Sequence, residues 1–76
     1  MSKEQNYQLS IKQKMLGAAL FARHVSKEAM LSIIMVLEND EQVDDMTWFM
    51  SQNPDADENQ LVAVAYQIVK DAREGK

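Results

Sequence analysis

The sequence predicts an all-α fold, a compact bundle of four short helices, on three observations. Apolar residues recur at intervals of three and four in several segments, which is the helical period. The chain contains two glycines and one proline, too few for the many tight turns of a β fold. Hydrophobic residues make up 46% of the chain, which is enough to form a core, so global disorder is not expected.

The first predicted helix runs from about Leu9 to Arg23. Its apolar positions recur at intervals of three and four residues and form a stripe, which Leu16 and Leu20 widen. The members of that stripe are Ile11, Met15, Ala18, Ala19 and Ala22. Gly17 costs about 1 kcal/mol relative to Ala and allows another helix to approach closely. Residues 1–8 are expected to be frayed, and residues 9–76 to form a single helical domain.

The second predicted helix begins at Ser26, a good N-cap residue, and contains the apolar run 29–37. Only Ser32 interrupts that run, so its apolar positions cover most of the helix circumference. Such a helix is expected to be central and buried on several sides. A strand is the alternative, because several residues of the run are β-branched. We favour a helix, since residues 26–29 are typical of a helix start and no paired strand is evident.

The third and fourth predicted helices are separated by a proline. The third has Asp40 as a candidate cap and ends at Asn53, because the residue before Pro54 avoids helical angles. Its stripe is Val43, Met46, Thr47 and Met50. The fourth has the clearest start, since Asp57 and Gln60 have the spacing of a capping box. The second and fourth helices are expected to form the centre. The predicted core residues are Ile33, Ile34, Leu37, Leu61, Val64, Ala65 and Ile68.

Charge is distributed unevenly along the chain. No Lys or Arg occurs between Lys27 and Lys70, whereas residues 1–27 are predominantly basic. The central stretch carries nine carboxylates: Glu28, Glu38, Asp40, Glu41, Asp44, Asp45, Asp55, Asp57 and Glu58. The net charge of −4 argues against direct binding to nucleic acid or to an anionic membrane, and we predict neither. This uneven distribution of charge along the chain is compatible with a basic partner or with head-to-tail self-contact.

The sequence also indicates a compartment. Residues 1–6 are polar and lack the apolar stretch of a signal peptide. No apolar run approaches the ~20 residues that span a bilayer. The absence of Cys excludes disulfides and thiolate metal ligands, and it is compatible with a reducing environment. A cytoplasmic protein is therefore the expectation.

No residue pattern predicts catalysis, a cofactor, a bound metal or a small-molecule ligand. His24 is the only histidine, and its sequence neighbours supply neither a base nor a nucleophile. We expect it to interact with the carbonyls that end the first helix. The spacing of Asp55, Asp57 and Asn59 matches the first three ligands of a calcium loop. The chain has Gln and Tyr where that loop needs its Gly and its terminal Glu, so we expect helix capping instead.

The predicted partner-binding site is the cluster Met46, Trp48, Phe49 and Met50. On a helix Met46 and Met50 share a face, whereas Trp48 projects about 160° away from Met50, and Phe49 lies about 100° further round. One helix face cannot bury all four, and aromatic residues and Met are enriched at interfaces. The alternative is that the bundle covers this short helix on two sides.

The leading functional hypothesis is a non-enzymatic interaction module. It acts by protein–protein contact, as a regulator, adaptor or inhibitor, and its partner is another protein or a second copy of itself in a homodimer. The alternative is an acidic decoy, whose carboxylates between residues 38 and 58 mimic phosphates and occupy the basic groove of a partner protein. A decoy needs those carboxylates regularly spaced on one face, whereas an interaction module with an apolar anchor needs Trp48 and Phe49 exposed. A small enzyme subunit is the third and weakest hypothesis, for want of a nucleophile or cofactor loop.

Overall fold

A computed structural model describes residues 9–75 of the chain. Four helices make up this part: α1 (Ile11–Ala22), α2 (Lys27–Val36), α3 (Asp40–Gln52) and α4 (Glu58–Glu74). No strand occurs among the described residues, so the all-α prediction is confirmed and the strand alternative for the second segment is wrong. The predicted fraying of residues 1–8 lies outside the described residues.

The four helices form a ring in the order α1, α2, α4, α3. α1 packs on α2 and α3, and α4 packs on the same two helices, with the most extensive packing between α2 and α4. The connections 23–26, 37–39 and 53–57 are short, so neighbours in sequence are mostly neighbours in space. Among the described residues each helix therefore has two covering helices, and they leave its outer face uncovered.

The inner faces of all four helices supply the core. Five of the seven predicted core residues are buried, and Ile33 and Leu61 are fully inaccessible. The other two, Val64 and Ile68, are partly buried and pack against the core. The core also contains residues that were not predicted: Leu16, Leu20, Val25, Ala29, Val43, Met46, Met50 and Val69.

α2 is buried on its inner face, whereas the sequence predicted burial on several sides. Ile33 and Ile34 are buried, whereas Leu31 and Met35 are exposed on the outer face. The apolar residues of α2 nearly encircle it, and two neighbouring helices cannot cover the full circumference. Part of the apolar surface of α2 therefore faces solvent.

A side chain caps the N-terminal end of each of the four helices. The caps are Ser10, Ser26, Asn39 and Asp57. Ser10 forms a reciprocal capping box with Gln13, and Asp57 forms one with Gln60. The predicted caps Ser26 and Asp57 are confirmed. The predicted cap Asp40 is wrong, because Asn39 accepts the hydrogen bond at that end and Asp40 is the first residue of α3.

α1 ends in a Schellman motif centred on His24. The backbone N–H of His24 donates to the carbonyl of Phe21 over 2.9 Å, and that of Val25 donates to Leu20 over 3.2 Å. His24 has φ 63°, in the left-handed region that favours glycine. Leu20 and Val25 both belong to the core, which supplies the apolar contact that accompanies this motif. His24 thus serves the helix end through its backbone N–H, and an interaction of its side chain with the terminal carbonyls stays a prediction.

The basic first helix packs along the acidic third helix, so part of the charge asymmetry is neutralised within the chain. Lys12 Nζ lies 2.6 Å from Asp44 Oδ2, and this hydrogen bond raises the pKa of Lys12. Arg23 donates to the carbonyls of Met50 and Asn53, at the negative C-terminal end of α3. These contacts join the two helices at both ends.

Two further carboxylates connect separate elements. Glu38, in the connection before α3, pairs with Arg73 near the end of α4, and this hydrogen bond lowers the pKa of Glu38. Glu58, the first residue of α4, accepts from the backbone N–H of Ser26 over 2.8 Å and from its hydroxyl over 3.0 Å. The start of α2 is thereby fixed to the start of α4.

Removal of a core side chain tests this packing directly. Ile33→Ala should lower the free energy of unfolding by about 2–5 kcal/mol, because it deletes a fully buried side chain. Ile11→Ala is the matched control: Ile11 is 74% exposed. Its loss should change stability by less than about 0.5 kcal/mol. Urea unfolding of dilute protein, followed by circular dichroism, measures both. Equal losses at the two positions would show that α1 packs through a different face.

His24→Gly should raise the stability of the fold. A non-glycine residue in the left-handed region is less stable than glycine there by about 1–2 kcal/mol, which outweighs the roughly 0.5–1 kcal/mol of extra entropy that glycine loses on folding. We expect a gain of about 0.5–1 kcal/mol in thermal or urea unfolding. His24→Ala is the control and should give no gain, since alanine keeps the Cβ. Equal stability of the two variants would contradict the assigned backbone conformation.

Candidate interaction surfaces

The structure separates the four residues of the predicted partner-binding site. Met46 and Met50 are buried in the core, so they offer no surface to a partner in the folded chain. Phe49 is partly buried and packs against the core. Trp48 is 67% exposed. The bundle therefore covers α3 on one side and part of a second. A contact with a partner at this site stays a prediction for Trp48 and for the accessible part of Phe49.

Trp48 borders an open cleft of about 660 Å³ between α3 and α4. The other residues that line the cleft are mostly polar: Asn39, Glu41, Gln42, Asp45, Ile68, Asp71, Ala72 and Gly75. Glu41, Asp45 and Trp48 lie on one face of α3, at spacings of four and three residues. Trp48 is thus a single exposed aromatic side chain within an acidic surface.

A larger apolar surface lies on α1, on the face opposite the core. Four residues spaced by four, three and four positions are all exposed, and we call them the α1 seam: Ile11, Met15, Ala18 and Ala22. On a helix they fall within an arc of about 60°. Four of the five residues of the predicted stripe therefore face solvent, although a stripe of this spacing ordinarily faces the core. The fifth, Ala19, is partly buried and packs against the core.

Leu16 and Leu20 take the inner position on α1 instead, about 150° round the helix from the seam. Two leucines and the small Gly17 bury more apolar area in a close-packed bundle than a face that is half alanine. A Cβ added at Gly17 would lie 3.5 Å from Ile34 Cδ1, which is an ordinary van der Waals distance, so α2 packs over Gly17 and leaves room for an alanine there. The rotation of α1 is thus set by its leucines, and the seam is turned outward.

Phe21 extends the exposed apolar surface of α1 beyond the seam. It is 74% exposed and lies between the seam and the side of α1 that packs on α2. Leu31 and Met35 are also exposed, but they lie on the outer face of α2, outside the seam. Single exposed apolar residues are normal on a protein surface, whereas a contiguous set marks an interaction surface. The α1 seam is therefore a stronger candidate than the isolated Trp48.

Two of the polar residues tested for chemistry, His24 and Asp57, serve helix ends. Asp57 caps α4, and Glu58 accepts hydrogen bonds from Ser26. Within residues 9–75, no three His, Asp or Glu side chains come together in a way that could hold a metal ion. In the same part of the chain no helix has the length and apolar character needed to cross a membrane.

Comparisons with protein-family models, with curated proteins and with solved structures found no significant match to this chain.

Intrinsic fluorescence tests the placement of Trp48, because it is the only tryptophan. Its emission should resemble that of a solvated indole, and acrylamide should quench it freely. A Phe49→Trp variant in a Trp48→Phe background is the control, since Phe49 is partly buried and a tryptophan there should be less accessible to the quencher. Weaker quenching at position 48 than at position 49 would contradict the orientation of α3.

Proposed function

We propose that this protein is a non-enzymatic interaction module that acts by protein–protein contact, as a regulator, adaptor or inhibitor, through the α1 seam. The observation that supports the proposal is the exposure of a helical stripe that the chain's own core does not use. Ile11 and Met15 expose most of their side chains, at 74% and 66%. Burial of a side chain of this size is worth about 1.5–3 kcal/mol, so a partner that covers both gains substantially.

The spacing of the seam favours an α-helix as the contacting element of the partner. Alternating intervals of four and three residues keep a stripe aligned along one side of a helix, which is the pattern of paired helices. Ala18 and Ala22 have small side chains, so a second helix can approach closely at that end. None of the four seam residues carries a charge, hence a partner helix can dehydrate the seam without burying an ion.

The acidic-decoy alternative receives less support from the contacts of the carboxylates. Asp44 pairs with Lys12, and Glu38 pairs with Arg73. Asp57 and Glu58 act at helix ends, as described above. A phosphate mimic needs carboxylates that are free to meet basic groups and lie on one face. These four already have partners within the chain. Glu41 and Asp45 do share one face of α3, but two carboxylates one turn apart make a short row for a phosphate mimic.

Site-specific photo-crosslinking tests the proposed surface in the cells that naturally produce the protein. A benzophenone amino acid in place of Met15 should form a discrete adduct with one identifiable protein, either a second copy or another chain. The matched control places the same group at Met35, which is 79% exposed but lies outside the seam. We expect a much lower yield of that adduct from position 35.

Mass spectrometry of the adducts identifies the partner and the crosslinked peptide. An adduct at position 15 that disappears when Ile11 is also changed to Glu would support the seam as the contact surface. No defined adduct from position 15, or equal adducts from positions 15 and 35, would contradict the proposal.

A further inference from the structure

We propose that the partner of the α1 seam is a second copy of this chain, with the two α1 helices antiparallel about a two-fold axis. This inference rests on the proposed function and adds the identity of the partner and its register. A two-fold contact between identical chains uses the same patch on both copies, so the patch must be complementary to itself. The seam meets this requirement in one orientation.

Side-chain size makes the seam self-complementary when the helices run in opposite directions. The two large residues, Ile11 and Met15, occupy the N-terminal half, and the two alanines occupy the C-terminal half. In the antiparallel register Ile11 faces Ala22 of the second copy, and Met15 faces Ala18 of the second copy. Every layer then pairs one large side chain with one small one, which keeps the distance between the helices uniform.

A parallel pairing of the same helices lacks this complementarity. It would place Ile11 and Met15 against themselves at one end, and the alanines against themselves at the other. The helices would then splay or leave a gap between the alanines, and either outcome loses packing. The antiparallel arrangement also sets the positive end of each helix dipole beside the negative end of the other.

The residues beside the seam favour the same register. Lys14 and Phe21 flank the seam on one side, and both are exposed. In the antiparallel pair Lys14 of each copy lies beside Phe21 of the other. A lysine ammonium over an aromatic ring is attracted to it, and its aliphatic stem covers apolar surface. Lys12 lies on the other side of the seam and is already paired with Asp44 of its own chain.

The contact predicted here is of moderate strength. α1 has only 12 residues, a length of about 18 Å, which is less than a standard-size interface occupies. Phe21 extends the contact toward α2, and Trp48 lies on a different helix, outside it. We therefore expect a dimer with a micromolar dissociation constant and a fully quenchable Trp48.

Sedimentation equilibrium of the full chain tests the dimer. At high micromolar concentration the mass should be twice the 8.7 kDa of one chain. Met15→Glu should raise the dissociation constant by at least about tenfold, because it buries a carboxylate without a partner. Met35→Glu is the matched control, with the same charge at an exposed methionine outside the seam, and should change the constant less than about threefold. Circular dichroism checks that both variants keep their helices.

A disulfide experiment tests the register independently of the charge variants. The chain has no Cys, so a single introduced thiol is unique. Chains with Met15→Cys and chains with Ala18→Cys are mixed in equal amounts and oxidised. The antiparallel register predicts that mixed dimers, linked from position 15 to position 18, make up more than the half of all linked dimers that random pairing gives. Intact mass distinguishes these mixed dimers from like dimers, in which both chains carry the same substitution. A clear excess of like dimers would indicate a parallel contact and overturn the proposed arrangement.

The outcomes separate this inference from the proposed function. A monomer at high concentration, whose residue 15 crosslinks to a different protein in cells, would overturn the self-pairing and leave the interaction surface standing. A monomer whose residue 15 crosslinks only to its own residues 1–8 would overturn both. A dimer that Met15→Glu leaves intact would overturn the assignment of its interface to the seam.

Discussion

The burial of Leu16 and Leu20 in the shared core fixes how α1 sits in the bundle, and the other features of the molecule depend on it. With these leucines inside, Lys12 reaches Asp44 and Arg23 reaches the carbonyl end of α3. Leu20 and Val25 also anchor the Schellman motif that turns the chain into α2. The same rotation points the second apolar face of α1 away from the core. Within residues 9–75, α1 has two apolar faces and two packed neighbours, and these neighbours leave the second face uncovered.

Part of the charge of the chain is paired within it. The sequence shows a basic first third followed by a long acidic stretch, which suggests an external partner of opposite sign. In the fold, the basic helix packs beside the acidic one, and the two ion pairs join elements that are far apart in sequence. Both pairs are exposed and contribute little to stability individually. Their effect is to favour one pairing of helices over its alternatives, because the wrong pairing would place like charges together.

Side-chain caps define where each helix starts in this small fold. Helices of this length are marginal in isolation, so local signals at the ends and packing on one face must act together. Ser10, Ser26, Asn39 and Asp57 each accept a backbone N–H of the first turn. Ser26 also donates to Glu58, which couples the start of α2 to the start of α4. Local capping and long-range connection are thus combined at one residue.

The sequence by itself determined the number of helices, their approximate ends and most of the core on α2 and α4. These follow from the helical period, from capping residues such as Asp57 with Gln60, and from the break at Asn53 and Pro54. Each of these features depends on backbone preferences and hydrogen bonds between residues that are close in sequence. The capping of α3 by Asn39 was missed because Asn and Asp are nearly equal as caps.

Only the tertiary structure decided which apolar face of α1 is buried and which aromatic side chain is exposed. The first helix has two apolar faces, one with Ile11 and Met15 and one with Leu16 and Leu20, and either face was compatible with a helix in a bundle. The choice depends on the total area that α1 buries against α2 and α3, which is a property of three packed helices. For the same reason Met46 and Met50 became core while Trp48 remained at the surface. Periodicity identifies a face of a helix, and the neighbours that cover it come from distant parts of the chain.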